Sequence, residues 1–295
     1  MAIYSETRDN IVETICRVCL HDWVEGTATT GGTASLADTS LGGYATSYFN
    51  NKGARIYMRA GAAIGDTRLI SAFTTTTGVV AVSPNFSGTV VIGDTFAIIV
   101  DYTWNEIVEA INLAINMVAE EAFVWKIDET SVTTVADDFE YDLPANFMYI
   151  YRITQADSDG YFYDLPIPPD QYKIVKGGTY PVLHFYNDTD HFDIGDGHSI
   201  GNFWANIDFE ASRLLRIEGL ASPATLSTDS SVCPINPAYV AFQAAAMLHA
   251  ARIKRADTDP DEHRIQSQIW QARADIERRR IVKMQMPANS KRCME

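Results

Sequence analysis

Five stretches of the chain have residue types and spacings that could carry chemistry. Cys16 and Cys19 form a Cys-x-x-Cys pair, half of a four-thiolate zinc site. No second pair follows at suitable spacing, and both cysteines fall on the apolar stripe of an amphipathic segment, where an unpaired thiol packs as a small hydrophobe. GTATTGGT, residues 26–33, has the glycine spacing of a phosphate-cradling loop, yet Gly32 stands where a lysine must reach the β- and γ-phosphates. The segment therefore reads as a connector. NDTDHFDIGDGHS, residues 187–199, gathers Asp188, Asp190, His191, Asp193, Asp196 and His198, oxygen and imidazole donors suited to a divalent cation. DTDPDE, residues 257–262, opens like a calcium loop but has no glycine at its sixth position and Gln268 at its twelfth. Both are better explained as solvated turns. There is no Gly-x-Ser-x-Gly elbow and no cysteine–histidine signature, and His21, His184 and His249 stand singly among apolar neighbours. The expectation is a protein that is not an enzyme and has neither metal nor cofactor.

The fifth stretch is the ending, ERRRIVKMQMPANSKRCME, residues 277–295. Residues 251–295 hold 11 Lys+Arg against 7 Asp+Glu, a balance of +4 within a net charge of −15, so the first 250 residues carry −19. Cations in a last helical turn complement the helix dipole at about 0.3–1 kcal/mol each, and one or two suffice for that. Arg278, Arg279 and Arg280 are consecutive and fan over roughly 200° of a helix, a pattern suited to an end surrounded by partners. Met284, Met286 and Pro287 supply adaptable apolar contacts and a stop, and Lys283, Lys291 and Arg292 continue the charge. Docking accounts for this cluster better than dipole complement does, since arginine and methionine are enriched at interfaces. The acidity elsewhere argues against nucleic acid as the main partner and suits a surface past which DNA moves without adhering.

The elements that must position these groups follow from length and periodicity. With 295 residues and 46% hydrophobic content the chain can bury a substantial core. It has no apolar run of membrane-spanning length, and MAIYSETRDN lacks the layout of a signal peptide. Four scattered cysteines suit reduced thiols and a cytoplasmic origin. Residues 1–26 form a first amphipathic helix through Ile11, Val12, Ile15, Cys16, Cys19 and Trp23. Residues 27–100, rich in Thr, Gly, Val and Ile, form a β insertion. Residues 101–129 form a long second helix, opened by a capping box of Thr103 and Glu106. Residues 130–235 form a second β domain. Residues 236–283 form a helical hairpin, capped at Asn236 and Asp259, whose second helix has one apolar stripe of Ile265, Ile269, Ala272 and Ile276. Residues 284–295 form a basic tail, expected to be mobile in isolation because it has few apolar contacts. The fold class is α+β: a bundle of about four helices, with a C-terminal hairpin, carrying two inserted β modules.

Three stretches now resemble a known family. FEYDLPANFMYIYRIT with YFYDLPIPPDQY is similar to a repeated β module, LRIEGLASPATLSTDSSVCPINPAYVAFQAAAMLHAARI to a passage from last strand to buried helix, and ERRRIVKMQMPANSKR to a basic tail. All three belong to the head-to-tail adaptor, or connector, proteins of tailed bacteriophages, and the likeness covers residues 101–295. The resemblance implies a structural virion protein at the head–tail junction, assembled in the host cytoplasm as a dodecameric ring of neighbouring copies beneath the portal protein. It implies a DNA channel through which packaged DNA passes without sequence-specific binding, and a platform for a downstream tail protein such as a stopper, terminator or nozzle. The portal-docking residues it implies are Arg278, Arg279, Arg280, Lys283, Met284, Met286, Pro287, Lys291 and Arg292. The insertion of residues 27–100, which smaller adaptors lack, could receive tail fibres. An alternative is a fibre-anchoring or glycan-binding module, motivated by Tyr161, Tyr163, Tyr180, Tyr186 and Trp204, whose rings could stack on sugars.

Overall fold

The computed structural model describes residues 4–136, 138–162, 165–175, 181–186, 212–254, 259–281 and 290–293. The chain divides into two compact units, Met1–Val118 with Ala224–Ile281, and Ala119–Pro223 with Val282–Glu295. Among the described residues there are five α-helices and fourteen strands, an α+β fold.

The first unit opens with α1 (Arg8–Thr14), capped by Thr7 and continued by a π turn, Ile15–Cys19. The helix ends sooner than periodicity predicts: Trp23 lies beyond it and His21 has φ +53°. Asp22 supplies the reason. Its buried carboxylate accepts the backbone N–H groups of Val100, Asp101 and Tyr102 at 2.7, 2.8 and 3.2 Å, which requires the chain to turn out of the helix. Burial raises its pKa while these three donors oppose the rise.

A seven-stranded antiparallel sheet follows, built from β1 (Val24–Thr27), β2 (Thr30–Gly31), β3 (Ser35–Ala37), β4 (Arg55–Met58), β5 (Thr67–Thr74), β6 (Val79–Ser83) and β7 (Thr95–Ile99), with the short α2 (Tyr48–Asn51) between β3 and β4. Its order is β1-β7-β4-β5-β6-β3-β2. Leu36, Phe49, Ile56, Ile70, Phe73, Val80 and Phe96 fill its core. In β5 both Ile70 and Phe73 point inward although strict alternation would separate them, and a register shift between Ile70 and Ala72 reconciles the two.

The second helix, α3 (Trp104–Asn116), has the capping box expected of Thr103 and Glu106, with each side chain bonded to the other's backbone N–H. It stops at Asn116, well before residue 129, and Val124–Asp128 form a strand, β8, of the second unit. Val124, Trp125 and Ile127 lie past the helical stripe, and bulky β-branched and aromatic residues crowded together favour a pleated strand. The return to the first unit begins at Ala224 rather than after 235. Arg8 pairs with Asp229 at 2.6 Å and donates to Leu226 O at 3.0 Å, so this segment runs alongside α1. The hairpin α4 (Pro237–Arg252) and α5 (Pro260–Arg278) completes the unit, with α4 packed against α1, α3 and α5.

The second unit holds β8, β9 (Glu140–Asp142), β10 (Phe147–Gln155), β11 (Tyr172–Val175), β12 (Val182–Phe185), β13 (Leu215–Ala221) and β14 (Lys291–Arg292). They form a four-stranded sheet, β14-β10-β13-β8, and a three-stranded one, β11-β12-β9, both antiparallel. Phe147, Ile150 and Ile153 all enter the core at three-residue spacing because β10 shifts register twice against β13. Gly219 lies where a Cβ would meet the Tyr149 carbonyl and the Phe147 ring, so only glycine lets these two strands approach.

Candidate docking surface

The end of α5 is aimed by the hairpin beneath it. Asn236 caps α4 by accepting the Ala238 N–H at 3.0 Å, with Pro237 in the first turn. Asp259 caps α5, accepting from Asp261 N at 2.9 Å, which leaves its carboxylate engaged in a helix start rather than a calcium loop. Between the helices Gln243 and Gln271 exchange amide hydrogen bonds at 3.0 and 3.1 Å, and Ser267 Oγ donates to Ala246 O at 2.9 Å. Phe242 and Trp270 add an aromatic contact with centroids 5.4 Å apart. At the turn end of the hairpin His249 Nδ1 lies 3.0 Å from His263 Nδ1, so His249 is one of a pair and not the solitary histidine its sequence neighbours suggest.

The candidate docking residues divide between the units. Arg278 is half-buried, and Arg279 and Arg280 are exposed. Arg280 pairs with Glu277 at 2.7 Å, and the other oxygen of Glu277 accepts from Asn236 Nδ2 at 3.0 Å. The arginine fan is thereby tied to the first turn of α4. Ile281 is buried directly after it. Lys283, Met284, Met286 and Pro287 lie outside the described residues.

Lys291 and Arg292 belong to the second unit, where the structure corrects the expectation of mobility for residues 291–293. They form β14 on the edge of β10, opposite Ile150 and Tyr149. The Lys291 ammonium is turned inward, donating to Pro169 O and Tyr172 O and standing 4.2 Å from the Tyr172 ring centroid. Burial lowers its pKa, with Asp170 opposing. Cys293 N donates to Met148 O at 2.8 Å and its side chain joins the core. An extended tail can dock on its own sheet edge through backbone bonds, so few apolar residues sufficed. Of this pair only Arg292 is exposed.

The remaining candidate chemistries resolve locally. Cys16 and Cys19 are buried, and burial pushes the Cys19 thiol up to about 12 and the Cys16 thiol well above its ordinary value. Gly26 and Thr27 lie in β1 and Thr30 and Gly31 in β2, the two end strands of the sheet order, without the helix a phosphate loop requires. An open cleft of about 690 Å³ beside them is lined by Glu25, Thr29, Asp38, Ser40 and Ile92, but Asp38 already accepts from Thr27 N at 2.9 Å and Ser40 N at 2.8 Å. The Asp188–His198 cluster lies outside the described residues. Among the described residues no group of three or more metal-ligating side chains converges, and no helix is long and apolar enough to cross a membrane. His184 is bonded to Glu140 at 2.9 Å across β12 and β9, and His21 is exposed. Tyr161 and Tyr186 are exposed. Tyr163, Tyr180 and Trp204 lie outside the described residues.

Against known families, the model of the SU10 adaptor protein family matches residues 89–292, more than half of the chain. No curated protein matches the chain.

Proposed function

The chain belongs to the SU10 adaptor protein family, and from that premise we propose that this phage structural adaptor forms a dodecameric ring beneath the portal. There it completes the DNA channel and provides the platform on which a downstream tail protein sits, at the head–tail junction of the virion. Its work is assembly, with no catalytic step. The supporting observation is the exposed Arg279–Arg280 pair on a helix end that Glu277 ties to Asn236. A cationic end held by its own scaffold meets an acidic partner without first losing side-chain freedom. Lys283, Met284, Met286 and Pro287 extend that contact, Arg278 supports it from the last turn, and Arg292 offers a further cation. Lys291 serves by holding the ending on its sheet.

The test is a pull-down on the cognate portal at low and high salt. Wild-type attachment should weaken as salt rises, because exposed charges steer encounter and are screened. Arg279→Ala with Arg280→Ala should attach more weakly at low salt and lose that salt dependence. Attachment equal to wild type at both salts would refute docking through this pair.

A further inference from the structure

The outward face of α5 inverts the usual arrangement of an amphipathic helix. Ile265, Ile269, Ala272 and Ile276 fall within about 60° of arc at 100° per residue. They form the apolar stripe that ought to face the bundle. Instead Ile265, Ile269 and Ile276 are 53%, 41% and 54% exposed. The opposite face, with Ser267, Gln271 and the buried Trp270 and Ala274, is the one that meets α4, and half of it is polar. A helix that bonds inward through amides and a hydroxyl, and presents three isoleucines outward over roughly three turns, is built for a second apolar contact.

A complementary surface stands on the same unit. Leu113 and Met117, one turn apart at the end of α3, are 53% and 48% exposed. The exposed Glu109 lies one turn before Leu113, while the exposed Arg273 and Arg280 border the α5 stripe. The α5 rim is mixed, since the exposed Glu262 and Asp275 border the stripe too and Arg280 is paired with Glu277, but its basic edge at Arg273 is opposite in sign to the acidic α3 rim. α3 and α5 pack separately on α4, so each copy carries one of each surface. Two different, matching faces on one chain make a heterologous contact, the kind that repeats head to tail and closes into rings. Both helices lie inside the stretch matched by the family model, whereas β1 to β6 lie before it. That placement favours an occupant common to the family's core over one peculiar to the insertion.

We propose that the Ile265–Ile269–Ile276 stripe of α5 seats on the Leu113–Met117 face of α3 in a second copy of this chain, with Arg273 set against Glu109. This contact rests on the ring reading and specifies its subunit junction.

The test uses two full-length variants, Ile269→Asp with Ile276→Asp and Leu113→Asp with Met117→Asp, examined by native mass spectrometry alone, mixed, and with portal rings. All four positions are exposed, so both variants should melt like wild type. Each alone should lose self-association, and the mixture should yield a dimer and nothing larger, because one intact junction remains per pair. Assembly of either variant into wild-type oligomers would overturn this contact. So would disruption by the α5 variant alone with no complementation, which would mean α5 meets α5. So would wild-type self-assembly by both variants with loss of portal attachment, which would give the stripe to the portal. A wild-type chain that forms no multimer even on the portal would overturn the ring reading itself, a result distinct from the others.

Discussion

Gln243 and Gln271 exchange two amide hydrogen bonds across the α4–α5 seam, at 3.0 and 3.1 Å. Gln243 is buried, so its amide depends on this one partner across the helices. Gln271→Ala should therefore destabilise the fold by about 1–3 kcal/mol, the cost of stranding a buried polar group. Replacing both by leucine should recover much of that loss, since no unsatisfied amide remains. Denaturant unfolding of the single and double variants separates this from simple loss of helix packing, in which case the double variant would be the less stable of the two.

His249 gives the hairpin a pH dependence. Burial lowers its pKa below the ordinary value and the neighbouring His263 adds to this, while the Cys19 carbonyl opposes. A histidine depressed in the folded state takes its proton in the unfolded chain first, so its contribution is full above the unfolded value of about 6.5 and is lost as pH falls through the folded value. Melting temperatures measured from pH 8 to pH 5 should fall more steeply for wild type than for His249→Gln. Parallel curves would show that His249 is not linked to folding.

The ending reports its own attachment. Burial pushes the Cys293 thiol up to about 12, so the native chain should resist alkylation at this position. Lys291→Ala removes the bonds to Pro169 O and Tyr172 O and should speed Cys293 labelling while lowering stability by about 1–2 kcal/mol. Peptide mass spectrometry after timed alkylation measures this. Labelling of the wild type at the rate of an unfolded peptide would restore the mobile tail.

What was legible in the sequence was chiefly local. Thr103 with Glu106, Asn236 with Pro237 and Asp259 with Pro260 mark helix starts because caps are satisfied within a few residues. The ends were harder. The exit from the first helix depends on Asp22 reaching Val100, Asp101 and Tyr102, partners about 80 residues away in the chain. The apolar stripe of α5 was found correctly, but its direction was not, because periodicity identifies a face without saying whether its cover lies in the same chain. Lys291 and Arg292 looked like free charge, and only the register of β14 on β10 shows one of them turned inward. Gln271 carried no sequence signal beyond a polar residue in a helix.

The central claim is that this adaptor assembles as a ring on the portal, and particle imaging of the chain co-expressed with its cognate portal tests it most directly. The account predicts a twelve-fold ring of this chain seated on the portal, with α3 of one copy beside α5 of the next. Portal particles that carry no ring of this chain, or carry single copies without contact between neighbours, would contradict it.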